Sequence, residues 1–74
     1  MDGSQRYDAK EAVLSALGGA NAVRRDLGGA SECLSLGAAG DRGAKLRLQL
    51  AFDASVRLHQ NIALALSKFE EAGS

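Results

Sequence analysis

The sequence has no proline, threonine or tryptophan, a single cysteine, and only three aromatic residues, Tyr7, Phe52 and Phe69. One cysteine cannot close an internal disulfide, which excludes the stapled, secreted mini-protein class. No charge predominates either: nine Lys and Arg balance nine Asp and Glu. That removes the overall basic excess from which nucleic-acid and anionic-membrane binders draw affinity. Long apolar runs are missing too. Asp2, Arg6, Asp8, Lys10 and Glu11 interrupt the stretch from Met1 to Leu17, and no later run approaches the ~18 apolar residues of a membrane span. The expectation is a small intracellular, cytoplasmic chain, and 74 residues make one small domain.

What is present favours helix. Alanine and leucine dominate the apolar set, and the β-branched residues are only Val13, Val23, Val56 and Ile62, the reverse of what strands select. Glycine supplies the punctuation, at Gly18-Gly19, at Gly28-Gly29 and in the cluster from Gly37 to Gly43. Each helix-interior glycine costs about 1 kcal/mol relative to alanine, so the pairs are candidate breaks and the cluster is the strongest turn signal.

After that turn, Leu48, Phe52, Ser55, His59, Ile62, Leu66 and Phe69 alternate by four and three residues, the spacing of a heptad seam. Residues from about 44 to 72 therefore read as one long amphipathic helix, with Asp41 near its N-cap and Gly73 past its end. The first half carries a weaker, alanine-rich stripe through Ala9, Val13, Ala16, Leu17, Ala20, Val23 and Leu27. Asp8 and Glu11 have the spacing of a capping box before it. The predicted class is all-α, a helical hairpin or small three-helix bundle. Its helices run at about 6–27, 31–38 and 44–72, with a turn at 37–43 and the alanine stripe lying antiparallel against the Leu/Phe stripe.

One local pattern competes. Lys45 to Phe52 alternates polar and apolar residues, and with Cys33 to Leu36 it would form a β-hairpin at about 33–52 in an α-β-β-α order. If the run is helical, Leu46, Leu50 and Leu64 fall on the face opposite the heptad seam.

Catalytic or ligand chemistry finds little support. His59 is the only histidine and reads as a seam residue, and Cys33 reads as a small apolar residue. Together they supply two ligands where structural zinc takes four, so neither a metal nor a cofactor is expected. Gly37, Gly40 and Gly43 lack the Lys-Ser/Thr of a P-loop and the βαβ setting of a dinucleotide fingerprint. The run from Val23 to Leu34, with Leu27, Gly28 and Leu34 at apolar, turn-glycine and apolar positions, resembles the turn and recognition-helix start of helix-turn-helix DNA binders. Arg24 stands where a small residue lets such helices cross, Gly37 where an apolar anchor belongs, and Ser31, Glu32 and Ser35 bring no Arg, Lys, Asn or Gln to base edges.

A core this small supplies only about 3–5 kcal/mol unless a disulfide, a metal or association adds to it. The expected function is therefore non-enzymatic protein–protein assembly, as a homo-oligomer or as a subunit docking onto other helices. The expected contacts are Leu46, Leu48, Leu50, Phe52, His59, Ile62, Leu64, Leu66 and Phe69. A helix-turn-helix regulator acting through Arg24 and Arg25 is the alternative.

Overall fold

The computed structural model describes residues 1–73, and within them the chain forms two long α-helices joined by a short 3-10 turn. These are α1 (Gly3–Leu34) and α2 (Asp41–Gly73), with the 3-10 segment at Gly37–Gly40. Among the described residues there is no strand, so the alternating run at 45–52 is helical and the hairpin considered at 33–52 does not form. Its residues, Lys, Leu, Arg, Gln, Ala and Phe, include no β-branched side chain that would favour a pleat over a helix.

Helix α1 begins earlier than the sequence suggests. Asp2 is its N-cap: the Asp2 carboxylate accepts from the Gln5 backbone N–H at 2.7 Å, and the Gln5 side chain accepts from the Asp2 N–H at 3.1 Å. This is the reciprocal capping box, six residues before the pair expected at Asp8 and Glu11. The helix then passes unbroken through both glycine pairs, and the expected third helix at 31–38 is not separate. Its first residues are the last turn of α1. Adjacent glycines weaken a helix by about 2 kcal/mol per pair, a cost tertiary contact along a long helix can outweigh.

The reversal happens between Ser35 and Gly40. The Ser35 N–H donates to the carbonyls of Ser31 and Glu32, the Leu36 N–H donates to that of Cys33, and Gly37 adopts a φ of 73°, the left-handed conformation glycine takes without strain. Asp41 then opens α2 at its positive N-terminal end.

The two helices run antiparallel within a Cα envelope of 53 × 15 × 11 Å. Neighbouring pairs step outward symmetrically from the turn: Cys33 with Gly43, Gly29 with Arg47, Gly19 with Leu58, Asp8 with Lys68. Their contact is made of small residues. Gln5, Ala9, Ala12, Ala16, Gly19, Val23, Asp26, Ala30 and Cys33 of α1 are all buried or half-buried, and they alternate by four and three residues. From Gly40 in the turn, the same spacing runs along α2 through Ala44, Arg47, Ala51, Ala54, Leu58, Asn61, Ala65, Lys68 and Ala72, of which only Arg47 is exposed. Among the described residues no large side chain is fully buried, and the buried apolar core is entirely alanine.

The seam of α2 thus lies one residue before the predicted one at every step. The heptad spacing is as expected but the phase is rotated by about 100°. Alanine and glycine let two backbones approach more closely than Leu and Phe would, and α1 offers an alanine face with which only a slender partner face is complementary. On α1, Ala9, Ala16 and Val23 of the expected stripe do face the seam, whereas Val13, Leu17, Ala20 and Leu27 are exposed.

Candidate interaction surface

The register of the seam determines what lies on each broad face of the pair. In an antiparallel pair of right-handed helices, the residue after each seam residue is rotated about 100° toward one face, and the residue before it toward the other. On the first face α1 places Val13, Leu17, Leu27 and Leu34, and α2 places Leu48, Phe52, Ile62, Leu66 and Phe69. All nine are exposed, Phe52 by 68% and Phe69 by 61%. At the turn end Leu34, Leu48 and Phe52 line an open groove of about 520 Å³ floored by Ala44, which confirms that both helices contribute to one surface.

The nine residues predicted to form the interface are all solvent-exposed. Leu48, Phe52, His59, Ile62, Leu66 and Phe69 share the first face, so His59 is on the surface and not within a buried seam. Leu46, Leu50 and Leu64 lie on the opposite face, interspersed with polar side chains. Leu64 borders Asp8, Ser15 and Lys68 there. Sequence reading missed the α1 half of the first face. Val13, Leu17 and Leu27 were visible as a stripe but were directed inward, because the seam phase could not be read from either helix alone. Ser55 interrupts the stripe on α2, yet its hydroxyl donates to the Phe52 carbonyl at 2.7 Å, so its polar group is satisfied within the helix.

Charged residues border both faces. Asp41, Lys45 and Asp53 line the apolar groove at the turn end together with Leu34, Leu48 and Phe52. Arg24, Arg25, Glu32 and Arg47 line a polar groove beside Gly28 and Gly29. Lys68, at the edge of the seam, lies 3.9 Å from Asp8 and 3.8 Å from Glu71 and ties the open ends of the helices together.

Among the described residues Asp26 is the one buried charged residue; its carboxylate lies 4.0 Å from Arg25 Nε, whose own side chain is mostly in solvent. Cys33 is half-buried beside Gly43 and Gly40. Among the described residues no three His, Cys, Asp or Glu side chains gather as metal ligands would, and no helix is long and apolar enough to cross a membrane. Gly28, where the helix-turn-helix resemblance places its turn, lies within the continuous α1. Compared with known proteins, the chain matches no family model, no curated protein and no solved structure.

Proposed function

We propose that the chain is a non-enzymatic protein–protein interaction module that docks onto helices of another subunit, or of another copy, through the face carrying Leu48, Phe52, Ile62, Leu66 and Phe69. One observation carries the reading: the core is built of alanine, while large apolar side chains of both helices, among them Val13, Leu17, Leu27, Leu48, Phe52, Ile62, Leu66 and Phe69, are exposed. An apolar surface of that extent is what an assembly interface presents before it is covered. The packing mode would be helix against helix, with the Leu and Phe side chains seated between those of the partner.

Sedimentation of the purified chain over a wide concentration range tests the self-associating form, with circular dichroism on the same samples and Leu66→Asp as the comparison. A helical species at a fixed multiple of 7.6 kDa that Leu66→Asp returns to monomer supports it. A monomer at every concentration leaves the heterologous form, tested by titration with designed amphipathic helical peptides that carry a leucine stripe. A monomer that also binds none of those peptides overturns the reading as a whole.

A further inference from the structure

We infer that the occupant of the apolar face is a second copy of this chain, laid face to face and reversed end for end, so that two hairpins make a four-helix bundle. The inference rests on the docking reading above and adds the identity and orientation of the partner. The order of residues along the α2 stripe is the first ground for it, because the stripe reads alike from both ends. Counted from Arg57, Leu48 and Leu66 stand nine residues away on either side, Phe52 and Ile62 five, and Ser55 and His59 two. A reversed copy therefore sets Leu48 on Leu66 and Phe52 on Ile62, and brings the polar pair Ser55 and His59 together at the middle. On α1, Val13 and Leu27 stand seven residues either side of Ala20. Ala20 is level with Arg57, since Gly19 packs on Leu58 and the helices are antiparallel. One twofold axis across the middle of the face thus serves both helices, as an isologous contact requires. Reversal also sets Ile62 and Leu66 of one copy over the groove between Leu34, Leu48 and Phe52 of the other, a projection against a concavity. Arg24 lines the polar groove beside Gly28 and Gly29, and Lys45 shares its groove with Asp41 and Asp53.

The second ground is area. The chain exposes 5368 Å², whereas a folded monomer of 7.6 kDa exposes roughly 4,300 Å², an excess of about 1,100 Å². Each partner in a stable interface buries roughly 800 Å². The excess comes from the thin, elongated shape, 53 × 15 × 11 Å, and pairing along the broad face thickens the shortest dimension. A second copy brings an equal excess on the same stripe, so one contact covers both.

The test combines sedimentation equilibrium with two variants of the full chain, Leu48→Lys and Leu66→Asp, measured separately and mixed. The wild type is expected at twice 7.6 kDa. Each variant alone opposes a charge to leucine at two places and should associate at least about tenfold more weakly. Their mixture makes one Lys–Asp pair and one Leu–Leu pair, and should regain about tenfold over either variant alone. Circular dichroism on each sample reports whether the helices persist. Cysteine pairing decides the question even if a charged variant unfolds. In a Cys33→Ser background, Leu48→Cys and Leu66→Cys should form a mixed disulfide dimer on mild oxidation, and neither should crosslink with itself, because the two copies of either position lie about 27 Å apart along the helix.

Crosslinking of Leu48→Cys with itself, or a wild-type dimer whose two charged variants do not rescue each other, would overturn the reversed pairing. A trimer or larger species would overturn the inference as well. A wild-type monomer at every concentration that binds leucine-striped helical peptides would overturn the second copy as occupant and leave the docking reading standing. A stably folded monomer that binds none of those peptides would overturn the docking reading itself.

Discussion

Gly40 packs against the carbonyl of Cys33 so closely that a β-carbon on Gly40 would overlap the oxygen. The contact joins the end of α1 to the last residue of the 3-10 turn, and it lies on backbone atoms that cannot swing aside. Glycine is therefore required at position 40 for space, as it is at 37 for its positive φ.

From this contact the first prediction follows. Gly40→Ala should destabilise the fold by about 1–3 kcal/mol, the range for over-packing a filled site. Gly18 and Gly28 have open space where a β-carbon would go. Alanine at either of these should stabilise by about 0.5–1 kcal/mol through helix propensity. Urea unfolding followed at the helical dichroism band separates the two outcomes, and destabilisation by Gly18→Ala would contradict the continuous α1.

Asp26 offers a second test. It is a buried carboxylate in an alanine seam, and its neighbour Arg25 at 4.0 Å is largely in solvent. Removing the buried charge and gaining alanine's helix propensity should raise stability by about 1 kcal/mol in Asp26→Ala. Thermal melts of the two proteins at neutral pH provide the comparison; a large loss in the variant would show that the carboxylate is held by stronger interactions than the Arg25 contact.

The phase of the seam can be checked by contrasting adjacent positions. Ala51→Leu should cost about 1–3 kcal/mol by forcing the helices apart. Phe52→Ser, one residue on, should change the stability of the isolated chain by less than about 0.5 kcal/mol, since its ring is mostly exposed. If Phe52 formed the seam, as the heptad pattern alone suggests, the sizes of the two effects would be reversed.

Asp8→Ala removes the ion pair with Lys68 at the open end. With Asp8 half-exposed, the loss should stay below about 1 kcal/mol and shrink in high salt. Chemical denaturation by urea at two ionic strengths measures it.

The helical class, the long amphipathic C-terminal helix and the turn near Gly37 were legible in the sequence. They depend on propensity and on spacing along one chain, which are local properties. The continuity of α1 through Gly18-Gly19 and Gly28-Gly29 was not legible, because a glycine pair breaks or does not break a helix according to the tertiary contacts beside it.

The sequence by itself determined that the chain would be helical and that its C-terminal half would carry a four-and-three repeat. Which of two adjacent repeats on α2 became the seam, the alanine one through Ala51, Ala54 and Ala65 or the leucine one through Phe52, Ile62 and Leu66, was decided only when the helices met. Hydrophobicity alone favours the leucine repeat, but close approach to an alanine face favours the alanine repeat, and such complementarity belongs to the pair of surfaces. The same choice set which apolar side chains stay exposed, because the side of the seam on which each residue falls depends on the contact between the helices and not on either helix alone.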